Sequence, residues 1–148
     1  MGCAEREETA FTVTPRCHLD ANVVLRFLRN DDPRQSPASA RLFGNAKAGK
    51  VQLLISAVTV AELFYVLARA YKHPRSEAAA TLLPFLQSDI IEVENRKRVI
   101  DTLRRVIKAN VDFGDAYLAA TASEKGDQIV SFDDDLKSFN DVTTIVPQ

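Results

Sequence analysis

Short apolar runs alternate along this chain with segments in which apolar residues recur every three or four positions. The apolar runs predict short strands at 17–19, 51–56, 90–93, 128–132 and 143–146. The helical spacing predicts helices over 23–28, 37–48, 60–71, 77–86, 96–109 and 114–124. Parallel strands need long crossover connections, and helices provide them. Strands separated by helices therefore predict an α/β domain with a mainly parallel sheet.

Proline and glycine residues mark several of the predicted helix ends. Pro33 disfavours helix in the residue before it, so the first helix is expected to stop near Asp31. Pro84 lies inside the 77–86 pattern and is expected to end or kink that helix. Gly49 and Gly126 stand just past two other helices, where glycine commonly ends them.

The length and charge of the chain narrow its class. A chain of 148 residues predicts one domain, and 46% apolar with 26% charged residues is typical of globular proteins. The net charge of −1 excludes a strongly basic nucleic-acid coat, although not a local basic face. The charge-free stretch 51–61 is far shorter than the ~20 residues that span a bilayer, and the N-terminus does not resemble a secretory signal. We therefore expect a cytoplasmic protein, with residues 1–15 as a polar tail or cloning remnant and 16–148 as the domain.

Acidic residues occur where the strands of such a sheet end. Asp20 follows the first strand, and Glu62 follows the second, one turn into the next helix. Asp115 opens the 114–124 helix, and an acidic run at 133–135 follows the fourth strand. Ligands of parallel sheets collect at the carboxyl ends of the strands, so we expect these carboxylates to lie together.

Carboxylates that converge in this way repel one another unless a divalent cation lies between them. The ligands would be hard oxygen atoms, with no cysteine or suitably placed histidine beside them. Such a set favours Mg²⁺ or Mn²⁺ over Zn²⁺.

Each acid also has a structural interpretation as a helix cap. Glu62 lies three residues after Thr59, the spacing of a capping box. Asp20 or Asn22 can cap the 23–28 helix, and Asp112 can cap the 114–124 helix. The run 133–135 can cap a short turn around Leu136. Capping alone does not require the acids to share one edge of a sheet, and this shared placement is the argument for function.

The predicted helix over 96–109 is strongly basic. It carries six bases, Arg96, Lys97, Arg98, Arg104, Arg105 and Lys108, against the single acid Asp101. Such a face can follow a phosphate backbone, or it can be a solvated helix surface. The sequence does not identify which residues would bind RNA.

Four segments of the chain resemble the motifs of the PIN-domain family, in order and in spacing. They are LDANVV at 19–24, SAVTVAEL at 56–63, DAYLAATA at 115–122 and SFDDDL at 131–136. The resemblance covers nearly all of residues 16–147. In length, the chain most resembles the VapC-type toxins of bacterial and archaeal toxin–antitoxin pairs.

The resemblance implies a three-layer α/β/α sandwich and a Mg²⁺- or Mn²⁺-dependent ribonuclease. It implies catalytic roles for Asp20, Glu62, Asp115 and Asp133, of which all but Glu62 also hold metal, with Asp135 as a further metal ligand. Supporting roles fall to Asn22, Thr59 and Ser131. The implied partners are RNA, a second copy of the chain and a cognate antitoxin. Apolar residues on several faces of the 60–71 and 77–86 helices, such as Phe64, Leu82 and Phe85, also suggest a dimer.

Two other functions remain open from the residues alone. A non-catalytic scaffold that has kept the fold could bind a protein partner, although four clustered acids would then serve no purpose. A phosphatase with a strand-end aspartate needs a second aspartate two residues later, and Asn22 stands at that position.

Overall fold

The computed structural model describes residues 13–148, so most of the expected tail at 1–15 lies outside the described residues. The described chain divides into two units. Unit 1 comprises residues 13–63 and 88–94, and unit 2 comprises residues 64–87 and 95–148.

Unit 1 contains a parallel sheet of three strands in the order β1-β2-β3. The strands are β1 (Arg16–His18), β2 (Gln52–Ile55) and β3 (Ile91–Val93). Cys17 lies opposite Leu53, and Leu53 lies opposite Ile91. Leu53 and Ile91 are almost completely buried, because the sheet is covered by apolar side chains rather than by solvent.

The helices of unit 1 begin and end where local chemistry dictates. They are α1 (Ala21–Arg29), α2 (Gln35–Lys47) and the first half of α3 (Ala57–Arg69). Asn30 ends α1 in the left-handed conformation, which asparagine tolerates better than most residues. The rings of Phe27 and Phe43 lie 4.4 Å apart and join α1 to α2.

Unit 2 is built around three helices and a parallel pair of short strands. The helices are α4 (Arg75–Leu86), α5 (Arg96–Ala109) and α6 (Phe113–Lys125), and α5 packs against both of the others. The strands are β4 (Ile129–Val130) and β5 (Thr144–Ile145), with a 3₁₀ helix at Asp134–Ser138 between them. Pro84 lies in the last turn of α4, which ends two residues later, as expected.

The α/β class with parallel strands is confirmed in both units. The strand pairs recorded in the described residues form one sheet of three strands and one of two. β4 is shorter than expected, because only two of the residues 128–132 pair with a neighbour. Within residues 13–148, no helix has both the length and the apolar character that a bilayer crossing requires.

The apolar side chains that suggested a dimer are buried within the single chain. Phe64, Leu82 and Phe85 are each at most 9% exposed. Because they are already covered within the chain, these residues no longer argue for a second copy.

Candidate metal site

Three carboxylates of unit 2 meet in a cluster. Asp115, Asp133 and Asp135 each offer one oxygen atom, and these oxygens all lie within 4.8 Å of one another. Asp115 is partly buried, whereas Asp133 and Asp135 are exposed. The cluster therefore has a protein-covered side and a side open to solvent.

Asp115 is placed by the start of α6. It is the third residue of that helix, in the turn where free backbone N–H groups favour a negative charge. Phe113 and Ala116 on either side are buried and fix the rotation of the turn. Among residues 13–148, the Asp115 carboxylate has no hydrogen-bond partner, which leaves its oxygens available to a ligand.

Asp133 and Asp135 are placed by the 3₁₀ helix. Asp133 caps it, since its Oδ1 accepts a 2.9 Å hydrogen bond from the backbone N–H of Asp135. The Ser131 Oγ accepts a 2.9 Å bond from the N–H of Asp133 and fixes the preceding turn. Leu136 is buried and anchors the short helix. The capping interpretation is thus correct at Asp133, and the same residue also lies in the cluster.

The middle residue of the acidic run does not join the cluster. The carboxylate of Asp134 pairs with Lys137 at 2.8 Å, and this lysine lowers the pKa of Asp134. Adjacent aspartates therefore have different surroundings, and Asp134 offers a matched control for the cluster.

The cluster destabilises its own negative charge. Burial raises the pKa of Asp115 above its usual value, and the charges of Asp133, Asp112 and Asp135 raise it further, against an opposing effect of Arg75. A divalent cation among these oxygens would remove this repulsion. Three converging carboxylates on an open surface are a donor set that Mg²⁺ or Mn²⁺ accepts, with water completing the coordination.

Asp112 has a role that the sequence did not indicate. It occupies the cap position of α6, but its side chain makes no capping bond. Instead, its Oδ2 accepts a 2.8 Å hydrogen bond from the Tyr65 hydroxyl. Burial and this carboxylate raise the pKa of Tyr65. No sequence spacing links residues 47 positions apart, so only the fold could reveal the pair.

Asp20 and Glu62 belong to unit 1, and their membership of one site with the cluster remains a prediction. Asp20 caps α1, accepting a 3.3 Å bond from the backbone N–H of Asn22. Asn22 thus contacts Asp20 through its backbone N–H, and a supporting role for its side chain remains a prediction.

The capping interpretation of Glu62 is wrong. The helix α3 begins at Ala57, so Glu62 lies in its second turn and not at its start. Ser56 takes the capping role, because its Oγ accepts a 3.1 Å bond from the N–H of Thr59 and donates to the Thr59 hydroxyl. The N–H of Ala57 is bonded to Glu94, which the sequence had not singled out. Glu62 is exposed and has no recorded partner among residues 13–148.

Half of the basic residues of α5 are used within the chain. Arg96 donates to the carbonyl of Leu86, Arg98 pairs with Glu124, and Arg105 pairs with two aspartates. Lys97, Arg104 and Lys108 are exposed and have no recorded partner in the described part of the chain.

With the fold and cluster established, comparison with known proteins identifies the class. The family model of the PIN domain matches residues 18–142. The chain belongs to the PIN-domain family, whose members are generally nucleases with metal-binding acidic residues. No curated protein matches the chain significantly.

Proposed function

We propose that this protein is a metal-dependent endoribonuclease and the toxin of a toxin–antitoxin pair. The observation that carries the proposal is the meeting of Asp115, Asp133 and Asp135 within 4.8 Å in a chain of the PIN family. The open side of the cluster supports access by a polymer. The resemblance of the chain to VapC-type toxins in length supports the toxin role.

In this proposal, Asp115, Asp133 and Asp135 hold Mg²⁺ or Mn²⁺. When bound, such an ion supplies an acidified water and stabilises the charge that develops on the phosphodiester. The chain's own residues orient and tune the ligands. The N–H of Asp135 fixes one oxygen of Asp133, and Ser131 fixes the backbone that carries it.

Asp20 and Glu62 enter the mechanism on the strength of the sequence motifs. Asp20 is proposed as a further metal ligand. Glu62 is proposed to position the attacking water and accept its proton. Its carboxylate suits that role because it has no hydrogen-bond partner among residues 13–148. Single-stranded RNA is the proposed substrate, because its backbone can enter a cleft that a duplex cannot.

The direct test is cleavage of an end-labelled single-stranded RNA with Mg²⁺ or Mn²⁺. Asp133→Asn keeps a side-chain oxygen for the cap but removes the charge. We expect it to lower the cleavage rate by about a hundredfold or more, the scale on which positioned catalytic groups contribute. Asp134→Asn is the matched control and should cut at the parental rate. Undiminished cleavage by the Asp133 variant, or by the parent in excess EDTA, would contradict the proposal.

A non-catalytic scaffold is the second candidate, and one observation favours it. Asp20 and Asp133 both cap helices, so these two acids have a structural use without any metal. The scaffold predicts no thermal shift with Mg²⁺ or Mn²⁺, whereas the nuclease predicts an increase in melting temperature. The strand-end phosphatase gains no support, because the required second aspartate is Asn22.

We also propose a homodimer that binds a cognate antitoxin. Support comes from the family resemblance and from apolar residues that remain exposed on unit 2. Val130 and Ile145 lie opposite each other in β4 and β5 and are 60% and 44% exposed. Phe132, just beyond β4, is 79% exposed. Light scattering at micromolar concentration should give twice the mass of the 16.4 kDa chain, and a monomer would contradict the dimer.

A further inference from the structure

A pocket in unit 2 lies outside the acidic cluster. It has a volume of about 520 Å³ and is formed by the second half of α5 together with residues 138–141. Its charged side chains are three bases, Arg104, Arg105 and Lys108, and two acids, Asp101 and Asp141. Three bases against two acids leave the pocket with a net positive charge.

Both acids of the pocket are already bound to one base. Arg105 makes a two-point contact with the carboxylate of Asp141 and a 3.1 Å contact with Asp101. Its guanidinium also lies over the ring of Phe139, 5.1 Å from the centroid. Asp141 accepts a further 2.8 Å bond from Ser123. These contacts fix the positions of the two acids, and Arg105 offsets part of their negative charge.

The two remaining bases are free to bind a ligand. Arg104 and Lys108 are exposed and lie one helical turn apart on α5, on the same face. Neither has a recorded partner in the part of the chain that the structure describes. An anion in the pocket would therefore meet two unneutralised cations.

The pocket lies a short way along the chain from the acidic cluster. The 3₁₀ helix carries Asp135 of the cluster at one end and Ser138 of the pocket at the other. The Ser138 hydroxyl donates a 2.7 Å bond to the carbonyl of Asp135. Three residues of 3₁₀ helix rise about 6 Å, so one extended polyanion can reach both places.

We infer that Arg104 and Lys108 bind the backbone phosphates of single-stranded RNA next to the acidic cluster. This inference rests on the proposed function for the identity of the polymer. The acids repel RNA, so a cationic pocket nearby would hold the strand while the cluster engages one of its phosphodiesters. Contacts to phosphates position a strand without reading its sequence.

The test measures RNA binding without cleavage. Fluorescence anisotropy of a labelled 12-nucleotide RNA in EDTA, between 50 and 200 mM KCl, gives the slope of log affinity against log salt. Each phosphate contact to a single strand contributes about −0.7 to that slope. Arg104→Gln combined with Lys108→Gln should make the slope shallower by about 1.4 and weaken binding most at low salt. Both residues are exposed and have no partner among residues 13–148, so the melting temperature should not change.

Lys97→Gln is the matched control, because Lys97 is an exposed base of the same helix outside the pocket. Like Arg104 and Lys108, it has no partner within the described part of the chain. It should leave the slope as in the parent. An unchanged slope in the double variant, an equal change in the control, or no RNA binding by the parent would each overturn the inference. An acidic peptide that binds the parent but not the double variant, while RNA binding stays equal, would show a protein ligand instead.

Cleavage separates this inference from the proposed function. If the parent cuts RNA, the double variant should raise KM with little change in kcat, because the lost contacts bind substrate and transition state alike. If the double variant shows the shallower slope but the parent cuts no RNA with any metal, the inference about the pocket is supported and the nuclease proposal fails.

Discussion

Neutralising Asp115 should stabilise the protein in the absence of metal. At 4.8 Å, two carboxylates in a solvent-like dielectric repel by about 0.9 kcal/mol, and Asp115 faces two such neighbours. Salt reduces the sum to about 1 kcal/mol, since the Debye length is only about 8–10 Å. Asparagine gives up part of the favourable helix-terminus effect, about 0.3–1 kcal/mol, but it also avoids burying a charge. We therefore expect Asp115→Asn to raise the free energy of unfolding by about 1 kcal/mol in the absence of metal, which is roughly 3 °C in melting temperature.

Differential scanning fluorimetry in EDTA and in Mn²⁺ measures both parts of this prediction. At ten times its Kd, a cation should stabilise the parent by about 1.4 kcal/mol, and the Asp115 variant should gain much less. Asp134→Asn is the control, because Asp134 pairs with Lys137 and lies outside the cluster. It should keep the parental metal response.

The destabilisation that the Asp115 charge causes should depend on pH in a definite direction. The pKa of Asp115 is raised in the folded protein, so its destabilising charge is fully present above that raised pKa. The cost disappears as the pH falls to the unfolded value near 3.9. The difference in unfolding free energy between Asp115→Asn and the parent, measured in EDTA, should therefore become smaller as the pH falls from 7 to 4. The reasoning would be refuted if Asp115→Asn were no more stable than the parent in EDTA at pH 7. It would also be refuted if Mn²⁺ raised the melting temperature of the variant as much as that of the parent.

Two further predictions concern single carboxylates. Glu62→Gln should keep the unfolding free energy within about 0.5 kcal/mol of the parent, because the side chain is exposed and has no partner among residues 13–148. It should lower the rate of RNA cleavage about a hundredfold. Cleavage at the parental rate would show that Glu62 is not catalytic. Asp141→Asn should cost about 1 kcal/mol at pH 7 by urea unfolding, a value kept small because the aspartate is half exposed. Arg105 holds the pKa of Asp141 well below its usual range, so this contribution is fully present above pH ~4 and declines as the pH falls toward the depressed pKa. A loss as large at pH 2 as at pH 7 would argue that the ion pair is not its source.

The sequence predicted the helices well where local signals were complete. The helix α5 has the expected bounds, with an asparagine in the left-handed conformation on each side of it. The start of α3 was expected too late, because Ser56 and the distant Glu94, rather than Thr59, satisfy its first N–H groups. A cap supplied from 37 residues away leaves no local trace in the sequence.

Part of the candidate site was also predictable. Strand-end placement pointed to Asp133 and Asp135, and the start of a helix pointed to Asp115. The structure brings these three together. The same rule could not tell Asp134 from its neighbours, because its orientation toward Lys137 depends on the 3₁₀ helix. The contact of Tyr65 with Asp112 was beyond the sequence, since it joins two helices that only tertiary packing brings together.

Asp133 has two roles, as the cap of the 3₁₀ helix and as a member of the acidic cluster, and the two roles tolerate different substitutions. One oxygen of this side chain closes the 3₁₀ helix, and the residue also contributes to the cluster. In a library of all substitutions at this position, selection for soluble expression alone should retain Asn, Ser and Thr beside Asp, since all four can cap. Selection for RNA cleavage should retain Asp alone. Glutamate would fail the first screen despite its charge, because its longer side chain does not make the short capping turn.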